Sequence, residues 1–180
     1  MDTVKSQKSF TLVELLVAVT IFIIIAAIST GIFFSALRAQ RKLLASQELS
    51  DQVSFLIEYM SRTIRMAKKE LSAPTCLSEN GLNYEKTWGG KGLKFINYQD
   101  ICQEFYLEGN LLKEKKDTAI SDLTSGTLKV LNFNIGPDDS WDQNDNDQPR
   151  VTLFLEIEGR EGIKINTQTS ISQRNPDVEK

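Results

Sequence analysis

The sequence predicts an α+β fold in which one long N-terminal helix packs on an antiparallel β-sheet. From Phe10 to Ala73 the chain contains no proline, and Gly31 is its only glycine. After that stretch, apolar and polar residues alternate in short segments separated by turn residues. A helix followed by a run of strands is typical of an α+β domain. The 180 residues suffice for one such domain with an appendage.

The first part of the predicted helix is apolar on every side. No charged residue occurs between Leu15 and Leu37, a stretch of 23 residues. A helix needs about 20 residues to cross the hydrocarbon core of a membrane. A secretory signal peptide is the competing interpretation, but its apolar core is about 7–15 residues long and ends in a small-residue cleavage motif. We therefore predict a transmembrane helix.

The second part of the helix is predicted to be amphipathic. Its apolar residues recur at steps of three and four, as expected for one face of a helix: Leu49, Val53, Leu56, Ile57, Met60, Ile64, Ala67 and Leu71. Pro74 predicts the end of the pattern, because proline disfavours helix at the residue before it. The simplest interpretation is one continuous helix of about 60 residues, or about 90 Å. Its amphipathic half should pack on the rest of the chain.

From about Gly89 onward, the alternation of apolar and polar residues predicts β-strands. The alternating segments are Leu93–Phe95, Ile101–Leu107, Thr127–Ile135, Val151–Ile157 and Ile163–Ile171. The apolar phase slips between Val130 and Leu131, which predicts a β-bulge. Glu158–Gly162 reads as a hairpin loop between the last two segments. Together the segments predict one antiparallel sheet whose apolar face is covered by the amphipathic helix.

Composition argues against several functions. The net charge is -3, and without a basic surplus we expect no nucleic-acid binding. The chain has no histidine, the commonest general base and a common metal ligand. No nucleophile elbow or phosphate-binding loop is present. We predict that the protein is not an enzyme and carries no cofactor, apart from the calcium considered below.

Two cysteines, Cys76 and Cys102, lie beyond the apolar stretch. If this part of the chain faces an oxidising compartment, a single disulfide between them is the natural expectation. Two unpaired buried thiols are the alternative.

Five aspartates crowd the segment 138–147. Four of them, Asp138, Asp142, Asp145 and Asp147, could hold a weakly bound Ca²⁺, because calcium prefers oxygen ligands. The pattern departs from an EF-hand loop, since Asp147 occupies the position that requires glycine. A solvated hairpin loop explains the same charges without a metal.

The two tryptophans also allow two interpretations. Trp88, which precedes Gly89 and Gly90, and Trp141 could form a partner-binding surface, because aromatic residues anchor interfaces. Packing in a loop or in the core would explain them equally simply.

The N-terminal segment carries the most specific pattern. Ser9-Phe10-Thr11-Leu12-Val13-Glu14, followed by Leu15–Ala18, resembles the type III signal of type IV pilins and type II secretion pseudopilins. The resemblance implies that prepilin peptidase cleaves between Ser9 and Phe10 and that Phe10 is then N-methylated. Family leaders end in glycine, whereas this one ends in Ser9. Glu14 is fifth after the cleavage site and would pair with the new amino group of a neighbouring subunit. A glutamate near a helix N-terminus is also favoured by the helix dipole alone.

The resemblance implies a division of the chain. Residues 1–9 would be the cleaved leader, 10–37 the transmembrane and filament-core helix, 38–73 its amphipathic half, and 74–180 a periplasmic or extracellular β-sheet domain. The N-terminus would be cytoplasmic, in a single-pass inner-membrane protein that later enters a pilus or pseudopilus. The expected partners are other pilin or pseudopilin subunits, prepilin peptidase, the inner-membrane assembly platform and the lipid bilayer.

Four later segments resemble minor pseudopilins of the J class and related minor pilins, which help initiate or cap filament assembly: Phe105–Leu112, Leu123–Ile135, Gln148–Gly159 and Ile165–Asn175. A major pilin, a DNA-uptake or adhesion pilin, and a single-pass anchored binding domain that never polymerises remain alternatives.

Overall fold

The computed structural model describes residues 11–71, 75–141 and 147–174. The chain divides into two compact units, Met1–Leu43 and Leu44–Lys180. One α-helix, α1, covers Leu12–Arg65, which is 54 residues. This helix, near the N-terminus, is long and apolar enough to cross a membrane, and none of its most apolar window is buried.

The helix ends at Arg65, before the proline at which the sequence predicts its end. The backbone N–H of Lys68 donates to the carbonyl of Ile96 at 2.9 Å, so tertiary hydrogen bonds replace helical ones from this point. Leu71, which the periodicity assigns to the apolar face, is 77% exposed. That part of the prediction was wrong because the periodicity continues beyond the helix itself.

Eight strands follow α1 within the described residues. They are β1 Glu85–Thr87, β2 Gly92–Ile96, β3 Cys102–Glu108, β4 Leu111–Lys116, β5 Ala119–Asp122, β6 Lys129–Ile135, β7 Arg150–Glu158 and β8 Lys164–Ser172. Strands β1 to β5 form a five-stranded antiparallel sheet, and β6 to β8 form a three-stranded one. In both sheets each strand pairs with the next along the chain.

The α+β fold class is confirmed, but the strands form two sheets where the sequence suggested one. Strand β1 has three residues and β5 has four, too few for a recognisable alternation. The predicted bulge is confirmed, since the pairing of β6 with β7 shifts between Val130 and Asn132.

A single hydrophobic core lies within the second unit, between the amphipathic part of α1 and the sheets. The helix buries Leu49, Val53, Leu56, Met60 and Ile64, which matches the predicted stripe. Helix and sheet approach closely at Gly159, where an added Cβ would lie 3.2 Å from Leu49 Cδ1. The aromatic members of the core are Tyr84, Phe95, Phe105, Phe133 and Trp141.

A polar network joins α1 to the five-stranded sheet. Tyr59 Oη donates to Glu114 Oε1 at 2.6 Å and accepts from Lys116 Nζ at 2.9 Å. Gln103 Nε2 also donates to Glu114 Oε1, at 2.6 Å. Burial and the neighbouring carboxylate of Glu114 raise the pKa of Tyr59 above its ordinary value. The tyrosine therefore stays protonated and donates throughout the neutral range.

We expect Tyr59→Phe to lower the free energy of unfolding by about 1–2 kcal/mol, because the buried carboxylate of Glu114 loses a donor. Denaturant titration of the full chain in detergent micelles measures this. Arg62→Ala is the matched control, since the Arg62–Glu58 pair is 73% exposed on both sides and should change stability by less than about 0.5 kcal/mol. Equal effects of the two variants would contradict the role given to Tyr59.

Candidate functional site

The first turn of α1 holds Glu14 in a capping box. Glu14 Oε2 accepts from the backbone N–H and from Oγ1 of Thr11, both at 3.2 Å. In return the N–H of Glu14 donates to Thr11 Oγ1 at 3.3 Å. This reciprocal arrangement satisfies donors that the start of a helix leaves free. Within the described residues Oε1 accepts no hydrogen bond, so the carboxylate can cap its own helix and bind elsewhere.

The helix beyond Glu14 presents apolar side chains in every direction. All side chains from Thr11 to Ala36 are exposed. Three of its hydroxyl groups bond to the helix backbone: Thr20 donates to the Val17 carbonyl, and Ser29 and Thr30 donate one turn back along the helix, each at 2.8 Å. These three hydroxyl groups therefore remain hydrogen-bonded when the segment faces lipid or another helix.

Residues 4–30 match the family model described as the prokaryotic N-terminal methylation motif. The chain carries this methylation motif. Neither the comparison with curated proteins nor the comparison with solved structures gives a match. The methylation motif includes Ser9, Phe10 and Glu14, and it supports a pilin or pseudopilin subunit. Ser9 and Phe10 lie outside the described residues, so the cleavage and methylation positions stay predictions.

The capping partner of Glu14 escaped the sequence analysis. Thr11-Leu12-Val13-Glu14 has the spacing of a capping box, in which a threonine precedes a glutamate by three residues. That signal was readable, and it gives the dipole and capping explanation of Glu14 a structural basis. Glu14 thus caps its own helix, and its pairing with a neighbouring subunit stays a prediction.

The two cysteines are joined in the structure. The Cys76–Cys102 disulfide has a Cα–Cα distance of 5.3 Å and ties the segment after α1 to the start of β3.

The segment that contains Cys76 is held by Glu70, a carboxylate that the sequence analysis did not single out. Glu70 Oε2 accepts from the N–H groups of Cys76 and Leu77 at 3.1 and 2.9 Å. Glu70 Oε1 accepts from the N–H and hydroxyl of Thr75.

The aspartate-rich segment is described only at its ends. Asp142 and Asp145 lie outside the described residues, whereas Asp138 and Asp147 lie within them. Asp138 forms an ion pair with Lys86 at 3.3 Å. The described residues contain no group of three or more acidic, cysteine or histidine side chains that could hold a metal. Weak calcium binding by this segment stays a prediction.

The structure separates the two tryptophans. Trp141 is 3% exposed, packs at 5.5 Å from Tyr84 and donates from Nε1 to the carbonyl of Arg150 at 2.7 Å. It belongs to the core. Trp88 is 56% exposed and lies on the outer face of the five-stranded sheet. Of these two tryptophans, Trp88 alone is exposed, and its role in partner binding stays a prediction.

Proposed function

We propose that this protein is a subunit of a type IV pilus or type II secretion filament, with the role of a minor pilin or pseudopilin that helps initiate or cap assembly. The methylation motif at the head of an exposed apolar helix carries the proposal. Residues 1–9 would be removed, and 10–37 would cross the inner membrane and later form the filament core. The amphipathic part of α1, which ends at Arg65, would follow, and 74–180 would form the periplasmic or extracellular domain.

The proposed mechanism is pairing between subunits. An ionised carboxylate at bilayer depth costs about 2.5–3.5 kcal/mol on the insertion scale. Cleavage before Phe10 creates an ammonium group in the same apolar zone. When the Glu14 carboxylate of one subunit meets the Phe10 ammonium of a staggered neighbour, each charge neutralises the other. The pairing then sets the axial offset between neighbouring helices.

The capping geometry supports this arrangement. Thr11 engages only Oε2 of Glu14 among the described residues, which leaves Oε1 for an incoming amine. The Glu14 carboxylate and the Phe10 ammonium would both lose their water when they pair. Such a pair is favourable only if its hydrogen-bond geometry is good. A carboxylate already fixed by its own helix loses less freedom on pairing.

Intact-mass measurement of the protein recovered from its native membrane tests the proposal. We expect a species that begins at Phe10, carries one added methyl group, and lacks the two hydrogens removed by the Cys76–Cys102 disulfide. Recovery of a chain that retains residues 1–9 and an unmodified amino terminus would contradict the proposal. It would favour a single-pass anchored binding domain instead.

A further inference from the structure

Trp88 is held flat against the outer face of the five-stranded sheet. Its ring stacks on Tyr106 with centroids 5.0 Å apart and planes inclined by 7°. Trp88 itself has a left-handed backbone with φ 53°, and Gly89 and Gly90 follow with φ of 64° and 90°. A non-glycine residue adopts this region rarely, and such strain persists where the surrounding structure fixes it.

Two further contacts fix the indole. Its Nε1 donates to Glu104 Oε1 at 3.1 Å. Gly92 lies directly beneath the turn, where an added Cβ would collide with the side chains of Thr87 and Trp88. Tyr106 is only 4% exposed, whereas Trp88 is 56% exposed. One face of the indole is therefore buried on Tyr106, and the other is open and rigidly presented.

The surroundings of this stack are acidic. Burial raises the pKa of Tyr106, and the carboxylates of Glu108, Glu104 and Asp122 raise it further against the opposing effect of Lys113. Lys113 is itself engaged, at 2.5 Å from Glu108 and 3.9 Å from Asp122. Two carboxylates thus share one ammonium.

Glu104 forms no ion pair among the described residues, although a lysine lies opposite it on each neighbouring strand. Its hydrogen bond from Trp88 comes from a neutral donor. Lys94, its neighbour on β2, is paired with Glu85 at 3.4 Å. Lys115, its neighbour on β4, forms no ion pair with it among the described residues. An open indole face beside a carboxylate without an ion pair of its own among the described residues is suited to a cation.

We propose that Trp88 and Tyr106 form a recognition platform for an arginine side chain of a partner protein. The guanidinium stacks on the open face of the indole, and Glu104 accepts its hydrogen bonds. Arginine fits better than lysine because its planar guanidinium can stack and hydrogen-bond at once. The indole brings little conformational entropy to lose, since the stack and the Glu104 bond already fix it. The platform does not depend on whether the chain polymerises.

Indole N–H signals of the full chain in detergent micelles test this proposal. The chain has two tryptophans, and Trp88→Phe assigns their signals. The probe is a short neutral-flanked peptide with two arginines, compared with the same peptide carrying citrulline, the uncharged planar analogue. We expect the arginine peptide to shift the Trp88 signal and leave Trp141 in place. Citrulline should bind about two- to fivefold more weakly, as should the arginine peptide to Glu104→Gln.

Three variants sharpen the result. Trp88→Ala should abolish the binding while the melting temperature stays within a few degrees, because the side chain is exposed. Gly92→Ala keeps the indole but displaces it from Tyr106, so binding should also weaken. Phe154→Ala is the matched control, an exposed aromatic residue (37%) on the other sheet, and should bind normally.

Equal binding of the arginine and citrulline peptides would overturn the proposal, as would unchanged binding by Trp88→Ala. A neutral oligosaccharide that shifts the Trp88 signal more strongly than the arginine peptide would overturn it too, and would assign the platform to a sugar.

Discussion

Glu14→Ala should reduce incorporation of the protein into sheared filaments at least tenfold, while its level in the membrane fraction is unchanged or higher. An uncharged residue removes the partner of the neighbour's amino group, yet it makes insertion of the single chain easier. Immunoblots of sheared and membrane fractions from cells that assemble the filament measure both quantities. Glu14→Gln should behave similarly, because the amide keeps the size but not the charge.

Thr11→Val separates the two roles considered for Glu14, capping its own helix and pairing with a neighbouring subunit. It removes the hydroxyl of the capping box and leaves the carboxylate in place. We expect near-normal incorporation, since loss of a cap costs only about 0.5–2 kcal/mol of helix stability. If Thr11→Val and Glu14→Ala were equally deficient, capping would explain the glutamate and the pairing mechanism would be wrong.

Glu70→Gln should lower the free energy of unfolding by about 3 kcal/mol or more. Glu70 is 2% exposed and accepts four hydrogen bonds through its two oxygens. A glutamine would turn an NH₂ group toward N–H donors, leaving buried donors without acceptors. Denaturant titration with the disulfide intact measures the loss. Glu79→Gln, at an exposed position nearby, should stay within about 0.5 kcal/mol of the parent.

Glu70 should also make the free energy of unfolding depend on pH. Burial by itself raises the pKa of Glu70, but the hydrogen bonds from Leu77, Thr75 and Cys76 outweigh burial and lower the pKa below 4.5. A lowered folded-state pKa means that its stabilisation is complete above the unfolded pKa and is lost as pH falls toward the folded value. Between pH 5 and pH 3, stability should therefore fall less in Glu70→Gln than in the parent. Identical pH profiles would contradict this assignment.

The sequence predicted the elements whose signals are local and repeated. The helical stripe from Leu49 to Ile64 and the alternation of β7 and β8 depend on residues close together in the chain, and both are confirmed. The division into two sheets was not predicted, because it depends on which strands meet and not on their patterns. Strand β5 is exposed at every position, so it has no alternation to detect.

The candidate sites divide in the same way. Glu14 was found because the methylation motif is a contiguous pattern, and the disulfide was expected because only two cysteines exist. Glu70 escaped detection, since its donors are backbone N–H groups that any residue type supplies. The stack of Trp88 on Tyr106 also escaped, because the two residues lie on different elements and meet only after β2 pairs with β3.

Residues that follow β8 donate hydrogen bonds to the carbonyl groups at and just after the end of α1. The N–H of Arg174 donates to the carbonyl of Arg65 at 2.8 Å, and Gln173 Nε2 donates to the carbonyl of Ala67 at 2.7 Å. The ribosome therefore completes the helix more than a hundred residues before the groups that seal it exist. Throughout that interval the stripe from Leu49 to Ile64 has no finished sheet to cover it, and it is liable to aggregate. The order of synthesis thus leaves this stripe exposed until the last strand is made.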